Sequence, residues 1–271
     1  MIILNDKIEK GKEEFDNGNY EKALEYLNDV SVDDIHYNIA LSCKIPCLVS
    51  LKEYDEALDI INPLISDMPY SEFLWSNKVI CHVFKHDDDK AFKALSEVER
   101  IFDESDVSSL VFIAKMYNLL LANEKALEYA NKALDIDENN IDALHEKTLA
   151  CAGIGDDQLM SDVADQMLDV VDNSALSRMI IIMLKLLSHH YEDCYNVITT
   201  TDYGDLGDDY VESVKGSLFT KICDDLKIDL AVINTDNLDI DDALHLLFEY
   251  INTGKDQGSI GDVQYFILQR T

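Results

Sequence analysis

The chain has 271 residues, 47% of them hydrophobic, which suits one or two compact domains or one extended repeat array and is too apolar for disorder. Asp and Glu number 54 against 22 Lys and Arg, a formal net charge of -32, so the surrounding field repels phosphate and anionic lipid. Nucleic acid and membrane are thereby excluded as expected partners.

The start, MIILNDKIEKGKEEF, turns from apolar to charged within a few residues, whereas a signal peptide needs a longer apolar stretch ending in small residues. The longest strongly apolar run, Met179 to Leu184, is too short to span a bilayer. A soluble cytoplasmic protein is expected.

From residue 18 the chain repeats itself. GNYEKALEYL (18–27), KEYDEALDII (52–61), HDDDKAFKAL (86–95) and LANEKALEYA (121–130) align on Ala23, Ala57, Ala91 and Ala126, spaced by 34, 34 and 35 residues. Continuing at 34 gives Met160 and Cys194. Each unit predicts an apolar-periodic helix of about thirteen residues, a short turn, a second helix and a polar connection. A small side chain at one fixed slot lets two helix axes approach to about 8–10 Å, so Met160 and Cys194 are expected to loosen the later repeats. Pro46 falls inside a first helix and is expected to kink it. The six cysteines (43, 47, 81, 151, 194 and 223) lie among apolar neighbours with no CxxC pair, which predicts buried free thiols.

Period and pattern together resemble the tetratricopeptide repeat. Trp75 falls where that family favours Trp, with Leu41, Leu110 and Leu144 at the same slot in other units. Gly11 takes the small first-helix slot once, Tyr20, Tyr54 and Tyr191 open second helices, and Pro69 stands where the family often closes a repeat. WSNK (75–78) and LHEK (144–147), with Lys10 and Lys44, look like the prokaryotic W-x-N-K variety. The resemblance covers about residues 5 to 201. It implies an all-α, right-handed solenoid of about six helical hairpins over 1–201, with residues 202–271 as irregular capping helices continuing the same solenoid.

The turn DIDENNIDALHE (135–146) nearly has the spacing of a calcium-binding EF-hand loop, but Asn140 and Asp142 stand where that loop wants Gly and an apolar residue. In repeat register the stretch is a second-helix end, a polar turn and the next first helix, and that is the reading preferred.

The resemblance places the first helices on the concave side of a curved array. Its inner-face slots include Phe73, Asn77, Ile80 and Phe84 in the third repeat, Phe112, Lys115 and Asn118 in the fourth, and His145 in the fifth. These eight are the candidate contacts for an extended or helical segment of a partner protein, the apolar ones supplying area and the polar ones fixing register. Charges among all the inner-face slots are few: Glu9, Asp16, Asp142 and Glu146 against Lys12 and Lys115. A basic ligand held by charge alone is therefore the weaker reading. The family's best-known groove chemistry clamps a C-terminal carboxylate with Lys, Asn and Arg from three first helices, and Ile8, Lys12, Cys43, Phe73 and Asn77 do not reproduce it.

LSRMIIIMLKLL (176–187) is apolar on nearly all sides, so something is expected to cover its inner face. The C-terminal stretch GDVQYFILQR (261–270) is amphipathic enough to dock there, which makes a structural or self-associating subunit the alternative to a peptide-binding scaffold, with a homo-oligomer possible. No phosphate loop, dinucleotide fingerprint, nucleophile elbow or HExxH occurs, so no cofactor, metal or catalytic residue is assigned. His189-His190 is expected to be a solvated turn, since i, i+1 and i+5 spacing does not aim both rings and Cys194 at one ion.

Overall fold

A computed structural model describes residues 6–228 and 239–254. Among these, regular structure is helical: α1 (Asp6–Asp16), α2 (Tyr20–Leu27), α3 (Tyr37–Ser50), α4 (Tyr54–Asp67), α5 (Glu72–Phe84), α6 (Asp88–Ile101), α7 (Val107–Leu119), α8 (Asn123–Ile136), α9 (Ile141–Ile154), α10 (Asp157–Leu168), α11 (Ala175–Leu187), α12 (Tyr191–Thr200), α13 (Gly207–Asp225) and α14 (Ile240–Gly254). Consecutive helices form hairpins, and the fold class is an all-α helical-repeat solenoid. Asn5 and the segment 261–270 lie outside the described residues.

The chain divides into two compact units, residues 1–146 and 147–271, the division falling inside α9. In the first unit, α1, α2 and α3 share a core of Ile8, Ala23, Leu27, Ala40, Cys43 and Cys47. A second cluster, with Ile45, Leu48, Ala57, Ile61, Leu74 and Cys81, joins α3, α4 and α5. Ala23, Ala57, Ala91 and Ala126 are all fully buried, as close helix approach requires. Gly11 serves the same end from α1: a Cβ there would stand 2.6 Å from Leu27 Cγ. Helix α3 runs through Pro46. Trp75 is 3% exposed, and its indole N–H donates to the Pro69 carbonyl at 2.8 Å, so the two residues of the resemblance hold each other.

In the second unit Met160 and Cys194 occupy the alanine slot and are as buried as the alanines, at 5% and 0% exposed. Within 202–271, read as irregular capping helices, the described residues hold a further helix pair. α13 and α14 pack together, and Leu218, Phe219, Ile222, Leu244, Leu247 and Phe248 join Tyr191, Cys194 and Ile198 of α12 in one core.

Each hairpin turn takes the same backbone route. Gly18, Lys52, His86, Leu121, Gly155, His189 and Lys227 all have positive φ, between 55° and 75°. After most of them the next N–H bonds back five residues: Glu53 to Leu48 at 2.8 Å, Asp87 to His82 at 2.9 Å, Ala122 to Tyr117 at 3.0 Å, His190 to Lys185 at 2.9 Å and Ile228 to Cys223 at 2.8 Å. This is the Schellman closure, which satisfies carbonyls that a helix end leaves orphaned. Only two of the seven are Gly, although a side chain in this region costs roughly 1–2 kcal/mol. The turn is therefore imposed by the packed hairpin and not by local preference.

Candidate partner-binding cleft

The first helices α5 and α7 and the start of α9 belong to the first unit, and their positions follow from their caps. Ser71 Oγ accepts from Leu74 N–H at 3.4 Å, Asp106 accepts from Ser109 N–H at 2.9 Å, and Asn140 Oδ1 accepts from Ala143 N–H at 2.9 Å. Between these helices lies a cleft of about 420 Å³. Val107, Val111 and Phe112 of α7 give it an apolar lining, with Ser108 beside them. The other lining residues are polar: Glu72 from α5, Lys115 from α7, and Asn140, Asp142 and Glu146 at the start of α9.

The structure separates the eight predicted contacts into three groups. Phe112 and Lys115 line the cleft. Asn118 and His145 do not line it but hold Glu146: Asn118 Nδ2 donates to the Glu146 carbonyl at 2.9 Å and to its Oε2 at 2.8 Å, while His145 Nδ1 lies 3.6 Å from Oε1. Phe73, Asn77, Ile80 and Phe84 lie along α5 and do not line the cleft. Phe73 is 39% and Phe84 58% exposed, the latter stacked on Tyr54 with centroids 6.0 Å apart.

Two roles need correction. Phe112 is only 3% exposed and packs on Phe102 at 5.0 Å, so it is a core residue that also borders the cleft and not an anchor open to a partner. Asn77 is buried and donates to the Phe73 carbonyl of its own helix at 2.8 Å, so its amide is already engaged. Phe112 is covered by Phe102 at the end of the preceding helix, whereas Asn77 is engaged within its own helix.

Glu72 and Asn140 escape the inner-face reading because they open their helices and fall outside the repeat's contact slots. The available signal was positional, since each follows or forms a cap. Partial burial pushes the Glu72 carboxyl above its ordinary value; Lys115 pulls it back and the charge of Asp106 adds to the rise.

The other candidates resolve into structure. Asp137 accepts from Asn139 N–H at 3.4 Å and from Asn140 Nδ2 at 3.2 Å, and Glu146 is 6% exposed in the grip of Asn118, so 135–146 is the end of α8, a turn over 137–140 and the start of α9, the order its register predicts. All six thiols are free and buried, and burial pushes Cys47, Cys81 and Cys151 up to about 11 and Cys194 and Cys223 up to about 12. His189 closes the α11–α12 turn, its Nδ1 2.7 Å from the Tyr191 hydroxyl, which donates to Asp225 at 2.5 Å. Periodicity gave no warning of Lys185, which is 1% exposed within apolar α11. Its ammonium donates to Ser161 Oγ at 2.9 Å and pairs with Asp165 at 2.7 Å and Asp193 at 3.7 Å.

No family model matches the chain, and none of the curated proteins does. Among solved structures, a tetratricopeptide repeat protein from Parabacteroides merdae aligns over 97% of both chains with 14% identity and a TM-score of 0.49. A double mutant of MamA RS-1 aligns over 68% of this chain and 97% of its own, with 16% identity and a TM-score of 0.41. The helical-repeat assignment rests on the seven hairpins among the described residues and their recurring turn. No helix among the described residues is long and apolar enough to cross a membrane.

Proposed function

We propose that the protein is a non-enzymatic interaction scaffold of the tetratricopeptide type, with prokaryotic W-x-N-K-like units, that works in the cytoplasm and holds a segment of another protein against the first helices of its N-terminal unit. The observation that carries this reading is the cleft itself. Three successive repeats contribute to one concavity of about 420 Å³ that brings Val107, Val111 and Phe112 together with charged side chains. Phe73 and Phe84 on neighbouring α5 offer exposed aromatic area of the kind that dominates interface energetics.

The test is affinity capture from native extract with the wild type beside a Phe73→Asp, Phe84→Asp double variant of unchanged helicity. Phe112→Asp is unsuitable, because it would open the core. A protein retained by the wild type and lost by the double variant supports the reading; equal retention moves the contact elsewhere.

A second reading is favoured by α11. Met179, Met183 and Leu187, at i, i+4 and i+8, are 53%, 47% and 44% exposed and form an apolar stripe along one helix face. A structural subunit would cover that stripe with a second copy or with its own C-terminal tail. Mass measurement in solution decides between a dimer and a monomer.

A further inference from the structure

We infer that the cleft between α5, α7 and α9 selects a basic side chain, an arginine or lysine carried on the partner's bound segment, with the aliphatic stem on Val107 and Val111 and the cation among Glu72, Asp142 and Glu146. The inference rests on the scaffold reading and names the chemistry its cleft prefers.

The argument begins with charge. Three carboxylates and one ammonium line the cleft. Taken over all inner-face slots the sequence shows four carboxylates to two ammoniums, dispersed along the array, but folding adds Glu72 and gathers three acids around one opening. Each has a separate local explanation. Glu72 and Asp142 stand in the first turns of α5 and α9, where a negative charge suits the helix dipole. The dipole does not account for Glu146, in the second turn of α9, which is 6% exposed and held in place by Asn118. Asn118 is a neutral donor and His145, with Nδ1 3.6 Å from Oε1, is a counter-charge only when protonated, so neither gives Glu146 a permanent positive partner. Partial burial and Asp106 both make Glu72 harder to ionise, and Lys115 offsets this only in part. By its lining groups alone, three carboxylates to one ammonium, the cleft is short of positive charge.

The apolar part of the lining agrees with the charge. Val107 and Val111 favour a hydrocarbon stem over a bare ion, so the complementary group has a greasy shaft and a cationic tip. Arginine fits best, because its planar fork can meet two carboxylates at once. Lys115 lines the same cleft as the competing cation, which supplies a test of opposite sign.

The probe is a blocked pentapeptide, acetyl-Ala-Leu-Arg-Leu-Ala-amide, titrated into the full chain at moderate salt beside the same peptide with citrulline, the neutral isostere of arginine. Binding is followed by calorimetry and by backbone amide shifts. The arginine peptide is expected to bind at least about tenfold tighter, the gap expected of a charge-assisted contact, with shifts in α5, α7 and α9. Glu72→Gln with Asp142→Asn should erase the preference, whereas Asp208→Asn with Asp209→Asn on α13, an equal change in net charge, should preserve it. Lys115→Met should tighten the arginine peptide several-fold and leave the citrulline peptide unchanged; this variant keeps the test decisive if the acid variant misfolds. Equal binding of the two peptides at the cleft would overturn the basic-side-chain inference while leaving the scaffold reading standing. Equal loss in the α13 control would also overturn it, by showing a bulk field effect. Shifts confined to other helices would overturn both the inference and the assignment of the groove.

Discussion

The two units solve the same packing problem with different residues. In the first, second helices present Ala at the approach slot and the buried polar residues among those described, Asn77, His82 and Glu146, include no lysine. In the second, Met160 and Cys194 fill that slot, and two lysines, Lys185 and Lys215, are buried at 1% and 7% exposed with carboxylates drawn in around them. The same hairpin, closed by the same Schellman turn, thus tolerates a small or a large side chain at its closest contact, provided that neighbouring residues are matched to it. What the repeat preserves is backbone geometry, and what each unit varies is how the interior is filled and how charge is distributed.

Exchange across the slot is the strongest way to break the comparison. Met160→Ala should leave a cavity and cost about 2–4 kcal/mol, while Ala126→Met should overpack a full slot and cost about 1–3 kcal/mol. Urea midpoints measure both, and a neutral result for either would mean that the slot is not matched to its occupant.

The buried lysine comes next. Asp165→Asn with Asp193→Asn leaves the Lys185 ammonium facing only Ser161, and should cost about 2 kcal/mol, below the usual price of stranding a buried charge because both carboxylates reach water. Lys185→Met, which removes the charge altogether, should cost clearly less. The reverse order would show that Lys185 contributes by packing alone.

Acid sharpens the contrast at the α13–α14 hairpin. Burial opposes ionisation of Asp241, but Lys215 at 2.8 Å and Tyr195 at 2.9 Å win and hold its carboxyl below the ordinary 3.8. A depressed folded value gives stability that is present above the unfolded value and is lost as pH falls through the folded one, so the contribution fades below 3.8. Lys215, raised above 10.5 despite its burial, loses its share only as pH climbs past that value. Asp241→Asn should therefore cost about 1 kcal/mol at neutral pH, a figure already discounted for solvent screening, and the difference from wild type should shrink at pH 3. Melts followed by circular dichroism at both pH values check this.

The smallest effect tests the shared turn. Leu121 holds positive φ with its side chain 80% exposed, so Leu121→Gly should stabilise by about 0.5 kcal/mol, relief of backbone strain exceeding the entropy that Gly adds to the unfolded chain. Gly155→Ala should destabilise by about 1 kcal/mol for the converse reason.

Legibility followed the range of the interactions involved. The period was plain because one Ala every 34 residues is a local steric demand repeated in each hairpin, and Trp75 and Gly11 stood where that demand puts them. The turns were legible only at Gly18 and Gly155, since Lys52, His86, Leu121, His189 and Lys227 carry no compositional mark of positive φ. At the cleft, Lys115 lines the opening, Phe112 lies in the core and Glu72 went unread, because exposure on a helix face depends on what the neighbouring repeats place against it.

By itself the sequence determined the helices, their pairing in hairpins and the acidic character of the molecule, since periodicity, small-residue spacing and composition act within one or two turns of chain. Only the tertiary structure decided that the last two long helices form another hairpin, that Lys185 lies buried between carboxylates, and that Glu72, Asp142 and Glu146 share one opening. Those outcomes depend on contacts between residues tens of positions apart, whose energies are set by desolvation and mutual approach and leave no pattern in the linear chain.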